Sequence, residues 1–292
     1  MRDGLNCWYV VRYSNNYSVE EVTRRFSALG EVQKVDVNRT IKRAYNRKAQ
    51  PLSQEAYRAM ASTTRALQRP FNDELYGYQW NLENDGAMSQ LNGKTLAGAD
   101  VQVVDAWKKT TGENSVIVAV LDEGVYIEHP DLKDNIWINE GEVWHSHEDN
   151  DGNGYTGDIY GYNFVKNTGV ITWNNAFDSG HGSHVAGVIS AVNNNGIGIS
   201  SVAGGDGSRG GVKIMVCQIF SGNTGSSALA VARAIKYAAD NGAVVLQCSW
   251  GYVSGAANVY DWGEQGFASQ EEWESGAPLE KNSLDYFTHN AG

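Results

Sequence analysis

Three stretches of the 292-residue chain are unbroken aliphatic runs: VIVAVLD (116–122), VKIMVCQIF (212–220) and AVVLQCSW (243–250). Runs without polar alternation predict strands of a parallel sheet covered on both faces. Between the last two, SSALAVARAIKYAADNG (226–242) carries apolar residues at helical spacing and a glycine stop, giving a strand–helix–strand crossover. Nearer the amino end, CWYVVRYS (7–14) and EVQKVDVNR (31–39) predict two short strands. They flank a helix in SVEEVTRRFSALG (18–30), with Ser18 as N-cap, Glu21 completing a capping box and Gly30 as the stop. LSQEAYRAMASTTRAL (52–67) reads as a helix, residues 68–86 as an irregular junction, and EKNSLDYFTHNAG (280–292) as a short helical or turn segment. The expected fold is α/β: a mainly parallel sheet with helices on both faces over residues 71–292, preceded by a small α+β module in 1–70. No run of about 18 apolar residues is present to form a membrane-spanning helix.

Charge divides the chain at the same place. Residues 1–70 carry a net +7 and residues 71–292 a net −18. Nucleic-acid binding is one reading of the basic part. Complementarity between the two units is favoured over it, because the apolar residues of 7–37 alternate as in a folded domain. Three cysteines, Cys7, Cys217 and Cys248, show neither metal spacing nor an even count for a disulfide framework. The latter two lie in apolar runs and are expected to be buried. The amino end lacks the apolar core of a signal peptide, so either the protein is not exported or a signal was removed from this chain.

In a parallel sheet, functional groups gather at the carboxyl ends of the strands. Asp122 stands at such an end. His181, in DSGHGSHVAGVISA (178–191), opens a helical segment among residues small enough to let another segment come close. An aspartate holding one imidazole nitrogen leaves the other to take a proton from a nucleophile. Taken singly, each residue has a plainer reading: a strand-ending acid is common in nucleotide-binding folds, and a lone histidine is usually structural.

With their flanks, VIVAVLDEGVYIEHPDL and HGSHVAGVISAVNNNGIGISSVAG resemble the aspartate and histidine motifs of the subtilisin-like serine proteases, in that family's Asp–His–Ser chain order. The resemblance implies that Asp122 orients His181, and that His181 is general base and then acid toward polypeptide substrates. It also implies that Ser249, Trp250 and Gly251 form the edge segment that pairs with substrate backbone. Glu123 stands where the family usually has Thr or Ser and is expected to face solvent; Ser183 replaces a usual Thr. The family's Gly-Thr-Ser-Met-Ala-like segment, which bears the nucleophile, is absent from the sequence, as is its oxyanion-hole Asn. The expectation is therefore a protease precursor of which these 292 residues cannot by themselves cleave peptides. The alternative is a shortened, inactive relative serving as a binding or inhibitory module. A nucleotide-binding domain is disfavoured, since no phosphate-cradling glycine motif follows a strand. Residues 1–70 resemble the start of the family's propeptide, which packs on two surface helices and would be processed between Met60 and Asn72. Family habit implies an extracytoplasmic or secreted protein.

HEDNDGNGYTGD (147–158) places Asp149, Asp151 and Asn153 at alternate positions before Gly154 and Tyr155. This is the first half of a calcium loop, with Asp158 as a substitute for the usual closing Glu; a solvated Asp/Asn/Gly turn is the plain alternative. The resemblance implies a second calcium site at Asp131 and an Asn of the loop after the histidine helix, Asn195, with Asn194 left open.

Overall fold

The computed structural model describes residues 5–41, 53–63, 69–86, 95–222, 224–251 and 266–292. In chain order its principal elements are α1 (Val19–Ser27), β1 (Thr40–Ile41), α2 (Gln54–Thr63), α3 (Val103–Trp107), β2 (Ile117–Glu123), β3 (Gly161–Asn163), α4 (His181–Ser190), β4 (Lys213–Phe220), β5 (Ser226–Ser227), α5 (Ala228–Asp240), β6 (Val245–Gln247), α6 (Gln270–Gly276) and α7 (Pro278–Asn290).

The aliphatic runs form the predicted parallel sheet, in the order β3-β4-β2-β6, with β2 paired to β4 and β6. Side chains alternate along a strand, and the two faces bury separate cores. Val118 and Val120 of β2 and Ile214 and Val216 of β4 pack with Ala186 of α4. The intervening Ala119 and Leu121, with Met215, Cys217 and Ile219, pack with Ala234, Ile235 and Ala238 of α5. Both faces are covered, which is why these strands carry no polar alternation. β6 is shorter than its sequence run, and Val244 and Val245 are each 45% exposed, as befits a sheet edge.

The amino-terminal segment departs from expectation. The α1 helix forms, and the Ser18 side chain accepts the Glu21 N–H as predicted; Glu21 itself turns to Arg25 instead of closing the box. Residues 8–14 and 32–39 are not strands. A strand exists only where its backbone groups find a partner. Among the described residues of this segment, Thr40 and Ile41 find one, pairing antiparallel with Ser227 and Ser226. Part of the helix expected over 52–67 lies outside the described residues.

Residues 36–41 meet the two helices α5 and α7. Arg39 O accepts the Ala228 N–H, and Asn38 Oδ1 accepts the Leu229 N–H at 2.9 Å. Asp36 Oδ2 accepts the Leu279 N–H at 3.0 Å, and Arg39 donates to Gly276 O. Each helix begins with amide groups that no preceding turn can satisfy, so this segment supplies N-caps to both. Ile41 then enters the core beside α5. Cys217 is buried; Cys248, the residue just past the edge strand β6, is exposed as a whole although its thiol is desolvated.

Candidate active site

His181 is the first residue of α4, and Asp122 is the penultimate residue of β2 at the same rim of the sheet. Nδ1 of His181 lies 2.8 Å from Asp122 Oδ2 and 2.9 Å from Oδ1. Asp122 is buried, with its Oδ1 also accepting the Glu123 N–H at 2.6 Å, whereas the imidazole is 29% exposed. One face of the pair is thus anchored in the protein and the other is open to solvent.

Close packing makes the meeting possible. A methyl group on Gly182 would run into the carbonyl oxygens of Glu123 and Gly124, so only glycine lets the first turn of α4 rest on the end of β2. Ser183 Oγ accepts the Tyr126 N–H at 2.9 Å and ties the segment after β2 to the same turn.

Glu123 does not face solvent; it is 1% exposed. Its Oε2 accepts the N–H groups of Ser179 (3.0 Å), Gly180 (3.1 Å) and His181 (3.3 Å) and the Ser179 hydroxyl (2.9 Å). Regular alternation would send successive residues to opposite faces. The β2–β4 register shifts between Asp122 and Glu123, so that Glu123 pairs with Phe220 and not Ile219. Such an irregularity re-aims a side chain, and here both carboxylates reach the start of α4.

The expected substrate edge follows β6. Trp250 donates from Nε1 to Leu121 O at 2.9 Å, which holds Ser249–Gly251 beside the strand that carries Asp122. The Ser249 hydroxyl accepts from Gln247. Residues 252–265 lie outside the described set.

Of the expected calcium-loop residues, Asp151 and Asp158 converge, and Glu142 joins them with carboxylate oxygens within 4.8 Å of one another. Asn153 donates to both aspartates and Asn139 to both as well. Desolvation raises the pKa of Asp158, and the charge of Asp151 adds to the rise. Crowded acids in an all-oxygen setting suit a hard cation such as calcium. Asp149 instead accepts the N–H groups of Asn153 and Gly154, shaping the turn. The Tyr155 ring packs on Tyr162 and Tyr237, which leaves its backbone carbonyl as the donor it could offer. Glu142 lies before the motif, and its spacing gives no sign that the chain folds back upon it.

At the second position Asn195 Nδ2 donates to Asp131 Oδ1 at 2.9 Å, whereas Asn194 bonds Asp206 O and the Asn72 N–H. Burial pushes Asp131 up to about 7, with the charge of Asp73 adding to the rise. Asp73, itself buried, accepts the Asn194 and Asn195 N–H groups and the Ser200 hydroxyl. Two buried acids beside a loop rich in amide and carbonyl oxygens also fit a calcium ion. Asp73 went unmarked in the sequence because it lies more than a hundred residues from the loop it serves.

Residues 113–285 match the sequence model of the subtilase family. The chain belongs to that family. Among its relatives, the subtilisin-like protease 1 of Plasmodium vivax is 36% identical over 170 residues, 56% of this chain and 22% of that protein. The cell wall-associated protease of Bacillus subtilis is 29% identical over 181 residues, 62% of this chain and 16% of that protein. The subtilase chain thus spans about a fifth of the length of these relatives. Among solved structures, the nisin leader peptidase NisP of Lactococcus lactis is 22% identical with a TM-score of 0.41, covering 74% of this chain and 48% of its own.

Proposed function

We propose that this subtilase chain carries the aspartate–histidine part of a serine endopeptidase site. The observation that carries the reading is the Asp122–His181 contact at 2.8 Å on the rim of a parallel sheet. Asp122 accepts a hydrogen bond from Nδ1–H, fixes the tautomer and stabilises the imidazolium. Nε2 then takes the proton of a serine hydroxyl as it attacks a peptide carbonyl, and returns it to the leaving amine as the acyl-enzyme forms. Polypeptide substrate would lie against Ser249–Gly251 by strand addition.

The sequence contains no Gly-Thr-Ser segment, so on this reading the 292-residue chain by itself forms no acyl-enzyme. Casein should remain intact, and a fluorophosphonate serine probe should label nothing; labelling of any serine would contradict the assignment. The roles of Asp122 and His181 are tested by joining the serine-bearing segment of a subtilase to the chain. Casein hydrolysis is expected, and Asp122→Asn should reduce it by about 10⁴. A folded, labelled fusion whose rate ignored both Asp122→Asn and His181→Gln would overturn the reading.

Residues 36–41 support a propeptide role for the amino-terminal unit, which would assist folding by capping α5 and α7. The two acidic clusters support calcium as the structural ion: Glu142, Asp151, Asp158 and Asn153 would hold one, and Asp131, Asn195 and Asp73 a second. When bound, the ion would neutralise those acids. Calcium dependence fits work outside the cytoplasm. Among the described residues, no helix is long and apolar enough to cross a membrane.

A further inference from the structure

The carboxylate at 123 is not needed for the aspartate–histidine contact, and a buried acid is costly unless it is fully hydrogen-bonded. Its carboxylate accepts three consecutive backbone N–H groups and one hydroxyl. Such a shell fits an ionised carboxylate, which only accepts. The N-cap residue Gly180 has no side chain to cap α4, and its φ is 81°. Glu123, at the end of β2, therefore supplies the cap from a distant part of the chain. Its charge also lies at the positive end of the helix dipole, where the first helical residue, His181, must become a cation during proton transfer.

We propose that Glu123 is a second positioning carboxylate: Asp122 holds the imidazole of His181 from Nδ1, while Glu123 holds its backbone and offsets the positive end of α4 beneath it. This rests on the proton-transfer role given to His181 above. Glu123 touches neither substrate nor the reacting atoms; it acts through His181. The other ionisable groups nearby do not compete for this function. Asp178 is tied to Asn175 and to the Gly222 N–H. The Cys248 thiol, behind Asp122, is pushed up to about 11 by desolvation and by the Asp122 charge, so it is neutral at physiological pH. His184, one turn along α4, is exposed to solvent.

The test is a pH titration of the histidine ring signals by NMR on the 292-residue chain, with His181 assigned by the signal lost in His181→Gln. Glu123→Gln keeps the volume and removes the charge. It should move the His181 midpoint to lower pH by about half a unit or more, the size of a partly buried helix-end charge. The other histidines should not move. A midpoint within about 0.2 unit of the parent, in a variant that still melts cooperatively, would overturn the proposal. If Glu123→Gln does not fold, Glu123→Thr is titrated in its place, with the same two outcomes. Failure of both to fold would make Glu123 a purely structural group and would equally overturn it. Asp122→Asn serves as the separate control. If that variant leaves the low-field Nδ1 proton signal unchanged, the aspartate–histidine reading itself has failed; a normal control with an unmoved Glu123→Gln midpoint sinks only the present inference.

Discussion

Tyr237 of α5 donates a 2.6 Å hydrogen bond to the buried Asp158 Oδ2, joining the crossover helix to the acidic loop over a separation of 79 residues. The bond passes through an aromatic cluster of Tyr155, Tyr162, Phe164 and Tyr237. Loop geometry and helix packing are therefore one problem, and whatever binds the loop also steadies the core of the sheet.

Calcium should raise the melting temperature. At a concentration about a hundred times the dissociation constant, one site adds about 2.7 kcal/mol, or several degrees for a chain of this size. The measurement is calorimetry in calcium against EDTA. The Asp151→Ala, Glu142→Gln double variant should lose most of the gain, while Tyr237→Phe should lower stability by about 1–3 kcal/mol in either buffer. An identical melting temperature in EDTA would remove the metal assignment.

Without calcium, stability should fall as pH rises from about 4 to about 7. Asp131 has an ordinary carboxyl value of 3.8 when unfolded and about 7 in the fold. The native state thus binds a proton that the unfolded chain releases, and the stabilisation is present at low pH and lost through that window. Asp73 is shifted in the same direction by desolvation. Denaturant melts at several pH values should show the slope, and Asp131→Asn should flatten it. A slope of opposite sign would refute the assignment.

Gly182→Ala should be disproportionately harmful for one methyl group. The carbonyls of Glu123 and Gly124 belong to a buried strand end and cannot retreat, so overpacking of about 1–3 kcal/mol is expected. Urea unfolding gives the loss, and the His181 ring signals should shift with it. Gly196→Ala meets no neighbour but has a φ of 72°, and so serves as a control for backbone strain alone.

Removing the helix caps from residues 36–41 should unsettle α5 and α7 together. The Asp36→Ala, Asn38→Ala double variant deletes one side-chain cap from each, at about 0.5–2 kcal/mol apiece. Hydrogen exchange should quicken at Leu229 and Leu279 first. Unchanged exchange there would show that the segment only rests on the helices.

The legible parts of the sequence were those decided locally. VIVAVLD and VKIMVCQIF could only be covered strands, and the period of 226–242 fixed α5. The family motifs placed Asp122 beside His181. Other features depended on what lay across the fold. Glu123 ends β2 at a register shift set by its pairing with β4, so its inward turn left no mark near residue 123. CWYVVRYS has the composition of a strand, yet a ladder needs two sides. Glu142 and Asp73 reach their partners by chain reversal, and spacing along the sequence carries no trace of that.

Ile41 sits 8% exposed among Phe220, Val231 and Ile235. A cut in the chain anywhere between that side chain and Phe71 would sever the backbone without freeing the leading piece. The fragment would stay plugged into the interior as a non-covalent subunit, and pulling it out would open a hole of one isoleucine beside α5. Hydrolysis and shedding would accordingly be separate events, the second paced by how readily that side chain leaves the interior.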